Sequence, residues 1–412
     1  MQHAAIEKPS ILFLVLAALM TSFTAVSIDM LLPTLPHVAQ HFDVSAITSQ
    51  QVITCLVFGI FLGEIIFGPL SDVFGRKPLI ISGSISFIIG AVWCANAQSY
   101  EELLAARVLQ GFGAAGPKIA VRALLRDLYS GVHLARVYSM VFMILMIIPI
   151  SAPIIGQWIT SKIGWEGEFL TVAGFCFVAT LLFTLMQKET LSPDKRNTFN
   201  IWFLFRTVGL IFAHQKVFLL TLLLGLVFSI NLTYLGTAQQ IFKNYYGIEH
   251  NFPYYFGFLA TAIAVAYLAS AKLVNKIGGI KLCAIAIGIL IISTATTLLA
   301  SILNGGTPPF AVFLVCFFGL FFSYGILWAN VAVLAIEYLG AAAGLGSTFI
   351  SAGASLIGFL VTGFTGGLYD ANYLHLGLGF LGMSLLALIC FLGVIKSRHN
   401  HALSYVKMAV TS

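Results

Sequence analysis

Apolar runs of about 20 residues follow one another along the whole chain. A helix needs about 20 predominantly apolar residues to cross about 30 Å of bilayer hydrocarbon, because each residue rises by about 1.5 Å. The runs are apolar on every face and do not alternate with polar residues, so they predict helices and exclude the strands of a barrel. Hydrophobic residues make up 59% of the 412 positions and charged residues only 9%, which excludes a water-soluble fold.

The runs predict an all-α membrane protein with about twelve transmembrane helices and short connections. The predicted spans are residues 11–36, 47–70, 79–97, 101–124, 136–160, 168–187, 217–240, 252–274, 281–302, 309–337, 344–368 and 373–395. We expect the first run to be a span and not a cleaved signal peptide. It is longer than a signal core, carries Asp29 and continues into Leu31, Leu32 and Pro33 without a small-residue cleavage site.

Positive charges fall in alternate connections between the predicted spans. Most of the 21 Lys and Arg residues lie there, at Lys8, Arg76 and Lys77, and in the stretches 122–136, 188–216, 272–281 and 396–407. Cytoplasmic connections carry an excess of Lys and Arg, so both termini are expected on the cytoplasmic side. The net charge of +6 is then a sign of topology, and no nucleic-acid partner is expected.

The longest polar connection, residues 188–216, divides the chain. It separates a predicted N-terminal six-helix bundle, residues 1–187, from a C-terminal six-helix bundle, residues 217–412. Residues 199–212 mix aromatic side chains with Arg206, which favours an amphipathic helix on the cytoplasmic membrane surface.

A weak internal repeat supports two related halves. The stretch 71–77 follows the second predicted span and the stretch 274–281 follows the eighth, with Gly75 matching Gly278. Parallel halves related about the membrane normal are a known transporter plan, in which the substrate site lies near the bilayer midplane.

The connection after the second span reads Gly68-Pro69-Leu70-Ser71-Asp72-Val73-Phe74-Gly75-Arg76-Lys77-Pro78. It resembles the loop signature of the major facilitator superfamily, although Val73 stands where that family usually has Arg. The resemblance implies the pseudo-symmetric major facilitator fold and a cytoplasmic gate formed by Gly68, Asp72, Gly75, Arg76 and Lys77. Asp72 could pair with a helix N-terminus or with an Arg across the bundle. The alternative is a simple turn carrying two topology-setting cations.

Three further segments resemble the drug:proton antiporter branch, in particular the Bcr/CflA-like multidrug exporters. They are residues 27–36 in the first span, 107–115 in the fourth and 149–156 in the fifth. The resemblance implies that Pro149, Pro153 and Gly156 bend the fifth span and seal the exporter against leak. Ala152 and Gln157 depart from the pattern, which usually has Gly at both places.

Ionisable residues inside the predicted spans are candidates for proton coupling, because each costs several kcal/mol in hydrocarbon unless it is paired or wetted. They are Asp29, Arg107 and Glu64. Asp29 and Arg107 lie at compatible depths, and a moving Arg would change the proton affinity of a nearby carboxylate. Asp29 could instead form a fixed ion pair or lie at a helix end.

Lys118 raises the question of an anionic substrate. Arg107, Gln110, Lys118 and Arg122 share one helical face, which would attract a carboxylate-bearing compound. Lys118 could equally pair with Glu64 or extend to the membrane boundary, and Glu64 could be a second proton carrier. The second half offers only neutral candidates for a substrate wall, which ordinary packing also explains. The substrate-binding candidates are Lys118, Gln110, Arg122, Asn231, Tyr234, Trp328 and Asn330.

The sequence therefore predicts a monomeric secondary transporter of the bacterial inner membrane that exports small amphipathic compounds in exchange for protons. Its expected partners are a small-molecule substrate, protons and the lipid bilayer, without a cofactor, a metal or an enzymatic activity. A phosphate loop of the Gly-Lys-Ser/Thr type is absent, so ATP-driven transport is not expected. The alternative is a carrier of an anionic carboxylate metabolite or a carboxylate-type siderophore, in either direction.

Overall fold

A computed structural model of the chain describes residues 9–129, 131–192, 194, 196, 209, 214–339, 343–368 and 373–397, without the side chains of residues 131, 132, 135 and 343–345. Contacts divide it into two compact units, Met1–Phe199 and Asn200–Ser412. Every regular element within the described ranges is helical. The predicted amphipathic helix at residues 199–212 lies outside these ranges, apart from residue 209.

Within its described residues, the first unit contains nine α-helices and one short 3₁₀-helix, Leu32–Thr34. The α-helices are α1 (Ile11–Thr21), α2 (Phe23–Asp29), α3 (Leu35–His41), α4 (Ala46–Ser49), α5 (Gln51–Phe74), α6 (Arg76–Ala95), α7 (Tyr100–Leu128), α8 (Gly131–Leu145) and α9 (Ile147–Met186). Glycines let α7 approach its neighbours closely. A Cβ at Gly111 would lie 1.9 Å from the Leu56 carbonyl oxygen, and one at Gly113 would lie 2.2 Å from the Phe87 nitrogen.

The first predicted span is broken and not one straight helix. α1 and the stretch Phe23–His41 meet at an angle of 56°. The Ser22 hydroxyl donates to the Leu19 carbonyl at the break, and Pro33 supplies no backbone N–H further along. The break leaves Asp29 at the last position of the short helix α2.

The fifth and sixth predicted spans meet within α9. Gly164 has φ 79° and ψ 177° and is not helical, so it separates the two stretches of α9. Glycine adopts positive φ at little cost, which explains the break at this position. A second interruption at Met146 separates α8 from α9 and lies inside the predicted span 136–160.

The second unit contains six described helices. They are α10 (Gln215–Tyr246), α11 (Phe252–Ile277), α12 (Gly279–Leu303), α13 (Phe310–Glu337), α14 (Ala343–Gly366) and α15 (Leu374–Lys396). Gly278 separates α11 from α12 with φ 81° and ψ 153°, just as Gly75 separates α5 from α6 with φ 102° and ψ 172°. The two glycines matched in the sequence repeat therefore share one backbone conformation.

Nine helices in the described ranges are long and apolar enough to cross a bilayer, or ten when the bent first pair is counted as one span. α7 is not in this set and carries charged residues along its length, among them Glu101, Arg107, Lys118 and Arg126. Such polarity within an apolar protein indicates that α7 carries residues of a functional site.

Candidate functional site

Arg107 is the most deeply buried charge of the first unit, with no exposed surface. Its guanidinium donates to the Ser27 Oγ at 2.8 Å, the Gln110 Oε1 at 2.7 Å and the Val52 carbonyl oxygen at 2.9 Å. Its carbon Cζ lies 5.7 Å from the centre of the Phe169 ring. Its Nη2 also donates to the Ser27 carbonyl oxygen at 3.3 Å. All of these acceptors are neutral, so Arg107 connects α7 to α2 and α5 without an ion pair.

Asp29 is also buried, with 6% of its surface exposed. It forms no hydrogen bond or ion pair with the described part of the chain. Although the sequence places Asp29 and Arg107 at compatible depths, Arg107 contacts Ser27, two residues before the aspartate. The two residues lie on helices that pack on each other, α2 and α7, but their side chains do not form the direct pair that the sequence allowed.

Glu168 is a third buried charged residue here, and the sequence analysis missed it. It is 1% exposed and its Oε2 has no hydrogen-bond partner. It lies beside the Thr34 hydroxyl and interacts electrostatically with Arg107. The predicted sixth span began at residue 168, which made Glu168 look like a helix-end residue. The signal that could have identified it is Gly164, since a helix that restarts there puts Glu168 inside its first turns.

We call Arg107, Gln110 and Glu168, together with Asp29 on the adjacent helix α2, the Arg107 cluster. With all its ionisable groups charged, the cluster would hold two negative charges and one positive charge. The Gln110 Nε2 is buried without an acceptor, so an unused donor also faces this region. Because burying unbalanced charge is costly, the cluster is suited to bind a proton or a cation.

Lys118 and Glu64 form a separate ion pair of 2.8 Å between α7 and α5. The Glu64 side chain is 1% exposed and that of Lys118 is 17% exposed. Of the alternatives left open by the sequence, this structure contains the pairing with Glu64. The predicted polar stripe on α7 is therefore divided: Gln110 bonds to Arg107, whereas Lys118 bonds to Glu64. Arg122 is half-buried farther along, where its carbonyl accepts from the Tyr138 hydroxyl at 3.0 Å.

The predicted gate residues are organised around Arg76. Its Nη1 lies 2.7 Å from the Asp72 Oδ1, and its Nε lies 2.9 Å from the Asp127 Oδ2. The same Nη1 donates to the Ser71 carbonyl and hydroxyl oxygens. Arg76 thus connects the end of α5 to the end of α7, and Asp127 is a member that the sequence analysis did not name.

Glu189 completes this region from the stretch that follows α9. Its two carboxylate oxygens accept from the backbone N–H groups of Arg76 at 3.1 Å and Lys77 at 3.0 Å, at the start of α6. Partial burial alone would raise the pKa of Glu189. The backbone N–H donors of Leu191, Arg76, Lys77 and Thr190 outweigh burial and hold this pKa below its ordinary value of 4.5. Glu189 therefore caps α6 as a carboxylate.

Gly75 and Gly68 serve this region by their size and conformation. Gly75 has φ 102°, and a Cβ there would lie 2.6 Å from the Glu189 Oε2, so a larger residue would disturb both the turn and the cap. Gly68 is buried within α5 one position before Pro69. Lys77 contributes its backbone N–H to the cap.

The second unit presents neutral and aromatic side chains at the predicted positions. Tyr234 is fully buried among the rings of Phe256, Phe317 and Phe321, and its hydroxyl has no hydrogen-bond partner. Asn330 donates to the Ser270 hydroxyl at 2.7 Å and joins α13 to α11.

Trp328 and Asn231 are half-buried. Trp328 stacks on Tyr324 with ring centres 5.9 Å apart, and it also contacts the Phe228 ring. These contacts give the second unit an aromatic and amide character, in contrast to the charges of the first unit.

A sequence model described as Major Facilitator Superfamily matches residues 17–362, which is most of the chain. The chain belongs to this superfamily. It is accordingly a multi-pass membrane transporter and not an enzyme.

Relatives within the superfamily narrow the branch. The chain is 27% identical over 405 residues to an uncharacterized MFS-type transporter, YdgK, of Bacillus subtilis, covering 97% of this chain and 99% of the relative. It is 27% identical over 351 residues to a bicyclomycin resistance protein homolog of Haemophilus influenzae, covering 84% and 86%. It is 32% identical over 163 residues to the multidrug resistance protein MdtL of Klebsiella pneumoniae, covering 40% and 42%. The predicted resemblance to the drug:proton antiporter branch is confirmed.

Solved structures give the fold. A D-xylose-proton symporter matches with a TM-score of 0.72 at 14% identity, covering 93% of this chain and 96% of that one. A peptide transporter POT matches with a TM-score of 0.73 at 14% identity, covering 95% of both chains. The predicted major facilitator fold is therefore confirmed.

The segment that resembles the antiporter motif of this branch lies in the first half of α9. Pro153 is buried inside the helix, and Pro149 is half-buried in its first turn. A Cβ at Gly156 would lie only 2.2 Å from the Met30 carbonyl oxygen. Gly156 therefore lets the backbone of α9 contact the residue that directly follows Asp29.

Proposed function

We propose that this chain is a proton-coupled exporter of small amphipathic compounds that works by alternating access in the bacterial inner membrane. The proposal counts α7 and the two parts of α9 as spans, which gives about twelve, with both termini cytoplasmic and a monomer as the working form. The names of the bicyclomycin resistance and multidrug resistance relatives support efflux as the direction.

The observation that carries the proposal is the state of Asp29. It is 6% exposed and has no partner in the described chain. An ionised carboxylate without a partner is expensive inside a membrane protein, so Asp29 is stable there as the protonated acid. It becomes stable as the carboxylate when water or a substrate cation reaches it. This exchange of a proton for substrate is the elementary step of an antiporter.

Arg107 contributes by holding this region in place and by setting its charge. Its hydrogen bonds to Ser27 and Val52 tie α2 and α5 to α7, so a rearrangement of these helices would move the guanidinium relative to Asp29. A positive charge that approaches a carboxylate favours loss of its proton, and one that withdraws favours uptake.

The carboxylate or siderophore carrier predicted as an alternative would rely on the positive charges of Lys118 and Arg107. Glu64 already balances the charge of Lys118 at 2.8 Å, and the guanidinium of Arg107 already donates to neutral groups of the protein. We therefore propose the proton-coupled exporter alone.

Transport in proteoliposomes tests the proposal. The probes are tetraphenylphosphonium, a permanent monovalent cation without a titratable group, and bicyclomycin, taken from the name of a relative. An imposed pH gradient should drive uphill movement of one or both in the wild type, and Asp29→Asn should abolish that movement. Asp43→Asn, an exposed aspartate in the loop after α3, is the matched control. Undiminished uphill transport by Asp29→Asn would refute the role of Asp29.

A further inference from the structure

Glu168 belongs to none of the motifs that identified the branch, yet it is among the most buried charged residues of the chain. We propose that Glu168 is a second proton-carrying residue of the first unit, which releases its own proton in addition to that of Asp29 during each transport cycle. The inference rests on the proposed function above and adds to it a residue and a proton count.

The position of Glu168 connects it to Arg107 rather than to solvent. The next residue in the chain, Phe169, lies beneath the guanidinium, with 5.7 Å between the Arg107 Cζ and the ring centre. The Glu168 side chain is 1% exposed and its Oε2 has no donor. A carboxylate with a permanent structural role would be expected to have both oxygens satisfied, as those of Glu189 are.

The hydrogen bonds of Arg107 explain why Glu168 remains free to titrate. Its Nε and Nη1 donate to the Val52 carbonyl, the Ser27 hydroxyl and the Gln110 side chain, and its Nη2 donates to the Ser27 carbonyl at 3.3 Å. Arg107 therefore exerts a favourable field on Glu168 but does not hold it in an ion pair. Because Arg107 attracts Glu168 without a hydrogen bond to it, Glu168 can exist both as the protonated acid and as the carboxylate.

Few other ionisable groups face Glu168 from the described elements around it. Arg107 approaches from α7 and Cys94 from α6, and both interact electrostatically with it. Asp29 lies on α2, which also packs on α9. The ring of His41, in α3, contacts that of Trp165 at a tilt, with ring centres 5.1 Å apart, and Trp165 lies about one turn before Glu168. Among these groups, only the charge of Arg107 is fixed. The region is therefore neutral when the carboxyl groups of Asp29 and Glu168 hold one proton between them. It bears one positive charge when both are protonated.

The proton count follows from this charge balance. When a monovalent cation enters, release of the protons of both Asp29 and Glu168 leaves two carboxylates that balance the charges of the substrate and of Arg107. Exchange of two protons for one monovalent cation moves one net charge across the membrane, so the membrane potential should drive it. Exchange of one proton would be electrically silent.

Proton release upon substrate binding tests the inference directly. Purified protein in weakly buffered detergent is mixed with tetraphenylphosphonium, and a pH-indicator dye reports the protons released per bound cation. We expect two protons in the wild type and one in Glu168→Gln. Glu166→Gln, a half-buried glutamate two residues away, should still release two. Glu168→Asp, which restores a carboxyl group, should also release two.

The response to membrane potential gives a second readout that a purely structural role would not alter. In proteoliposomes with an inside-positive potassium diffusion potential and no pH gradient, the wild type should accumulate tetraphenylphosphonium, because two protons leave for each cation that enters, whereas passive distribution would expel the cation. Glu168→Gln should lose that response, while a pH gradient should still drive its transport of tetraphenylphosphonium.

A Glu168→Gln protein that binds tetraphenylphosphonium and releases as many protons as the wild type would overturn the inference. A wild type that releases none would instead refute the proposed coupling. A Glu168→Gln variant that fails to fold transfers the test to Glu168→Asp, whose more buried carboxyl should shift the pH midpoint of release relative to the wild type. An unchanged midpoint would also overturn the inference.

Discussion

Buried charges of the first unit differ in whether they have a fixed partner. Lys118 and Glu64 are joined at 2.8 Å, and Arg76 is joined to Asp72 and Asp127. Asp29 has no such partner, and Glu168 has an unpaired oxygen. Paired charges maintain structure, whereas an unpaired carboxylate can gain or lose a proton without breaking a contact.

Removing one member of the Lys118–Glu64 pair should be much worse than removing both. Lys118→Met leaves the Glu64 carboxylate, which is 1% exposed, without its cation, and loss of one partner of a buried pair costs about 3–5 kcal/mol. Lys118→Met combined with Glu64→Gln should recover most of the stability. Thermal unfolding of the purified protein measures both effects.

Lys162→Met is the matched control for this pair, because Lys162 is exposed. Equal melting temperatures for Lys118→Met and Lys162→Met would contradict a stabilising pair. Lost tetraphenylphosphonium binding in the stable double variant would instead return Lys118 to the substrate site.

At single residues the sequence was informative about which side chains are unusual and less so about their partners. Asp29, Glu64, Arg107 and Lys118 stood out because charge is rare in apolar spans. The pairing of Lys118 with Glu64 remained one of several alternatives, since partner choice depends on how α5 and α7 pack. Glu168 was missed because its burial depends on the exact start of a helix, which the apolar pattern locates only to within a few residues.

Among the helices, α9 depends on a contact that only glycine permits. A Cβ at Gly156 would lie 2.2 Å from the Met30 carbonyl oxygen and 2.9 Å from its carbonyl carbon. Gly156→Ala should therefore separate α9 from the first span, lower stability by about 1–3 kcal/mol and reduce transport. Melting temperature and tetraphenylphosphonium transport are the measurements.

Gly174→Ala provides the comparison on the same helix. No atom lies within 4 Å of a Cβ at Gly174, so this variant should be as stable as the wild type or slightly more stable. Equal effects of the two substitutions would show that the Met30 contact is unimportant.

The cap of α6 by Glu189 predicts a pH dependence of stability. The pKa of Glu189 is lowered by backbone N–H donors, so its carboxylate stabilises the folded protein above the ordinary value of 4.5. That contribution is lost as the pH falls through the folded-state pKa. Glu189→Gln should melt below the wild type at pH 7, and the difference should shrink steadily as the pH falls below about 4.5.

Glu101→Gln removes an exposed carboxylate and serves as the control for general charge effects. A constant difference between wild type and Glu189→Gln from pH 7 to pH 3.5 would contradict the cap.

The helical elements were largely predictable from apolar length, and their interruptions were not. The predicted spans 217–240, 252–274 and 281–302 lie within α10, α11 and α12. The bend at Ser22 and the interruption at Met146 left no clear trace in the apolar pattern, because a kink changes few side chains. Gly75 and Gly278 were matched by the sequence repeat, and the positive φ of both explains why each position holds glycine.

The two units of the molecule differ in their buried charges. In the first unit Asp29, Glu64, Arg76, Arg107 and Glu168 are buried, whereas the buried polar residues described in the second unit are neutral. The positions of the rare charges in the predicted spans indicated this asymmetry, whereas the net charge of +6 averages over both units and does not reveal it. We therefore expect proton coupling to reside in the first unit and the second unit to contribute neutral contacts.

The two acidic residues in the described part of the second unit test this division of roles. Glu249 is exposed and lies 2.7 Å from Lys243, and Glu337 is exposed at the end of α13. A Glu249→Gln and Glu337→Gln double variant should release as many protons per bound tetraphenylphosphonium as the wild type and respond equally to membrane potential. A lower proton count would place a coupling carboxylate in the second unit. An unchanged count, together with the loss expected for Glu168→Gln, would show that neither Glu249 nor Glu337 supplies a coupling carboxylate.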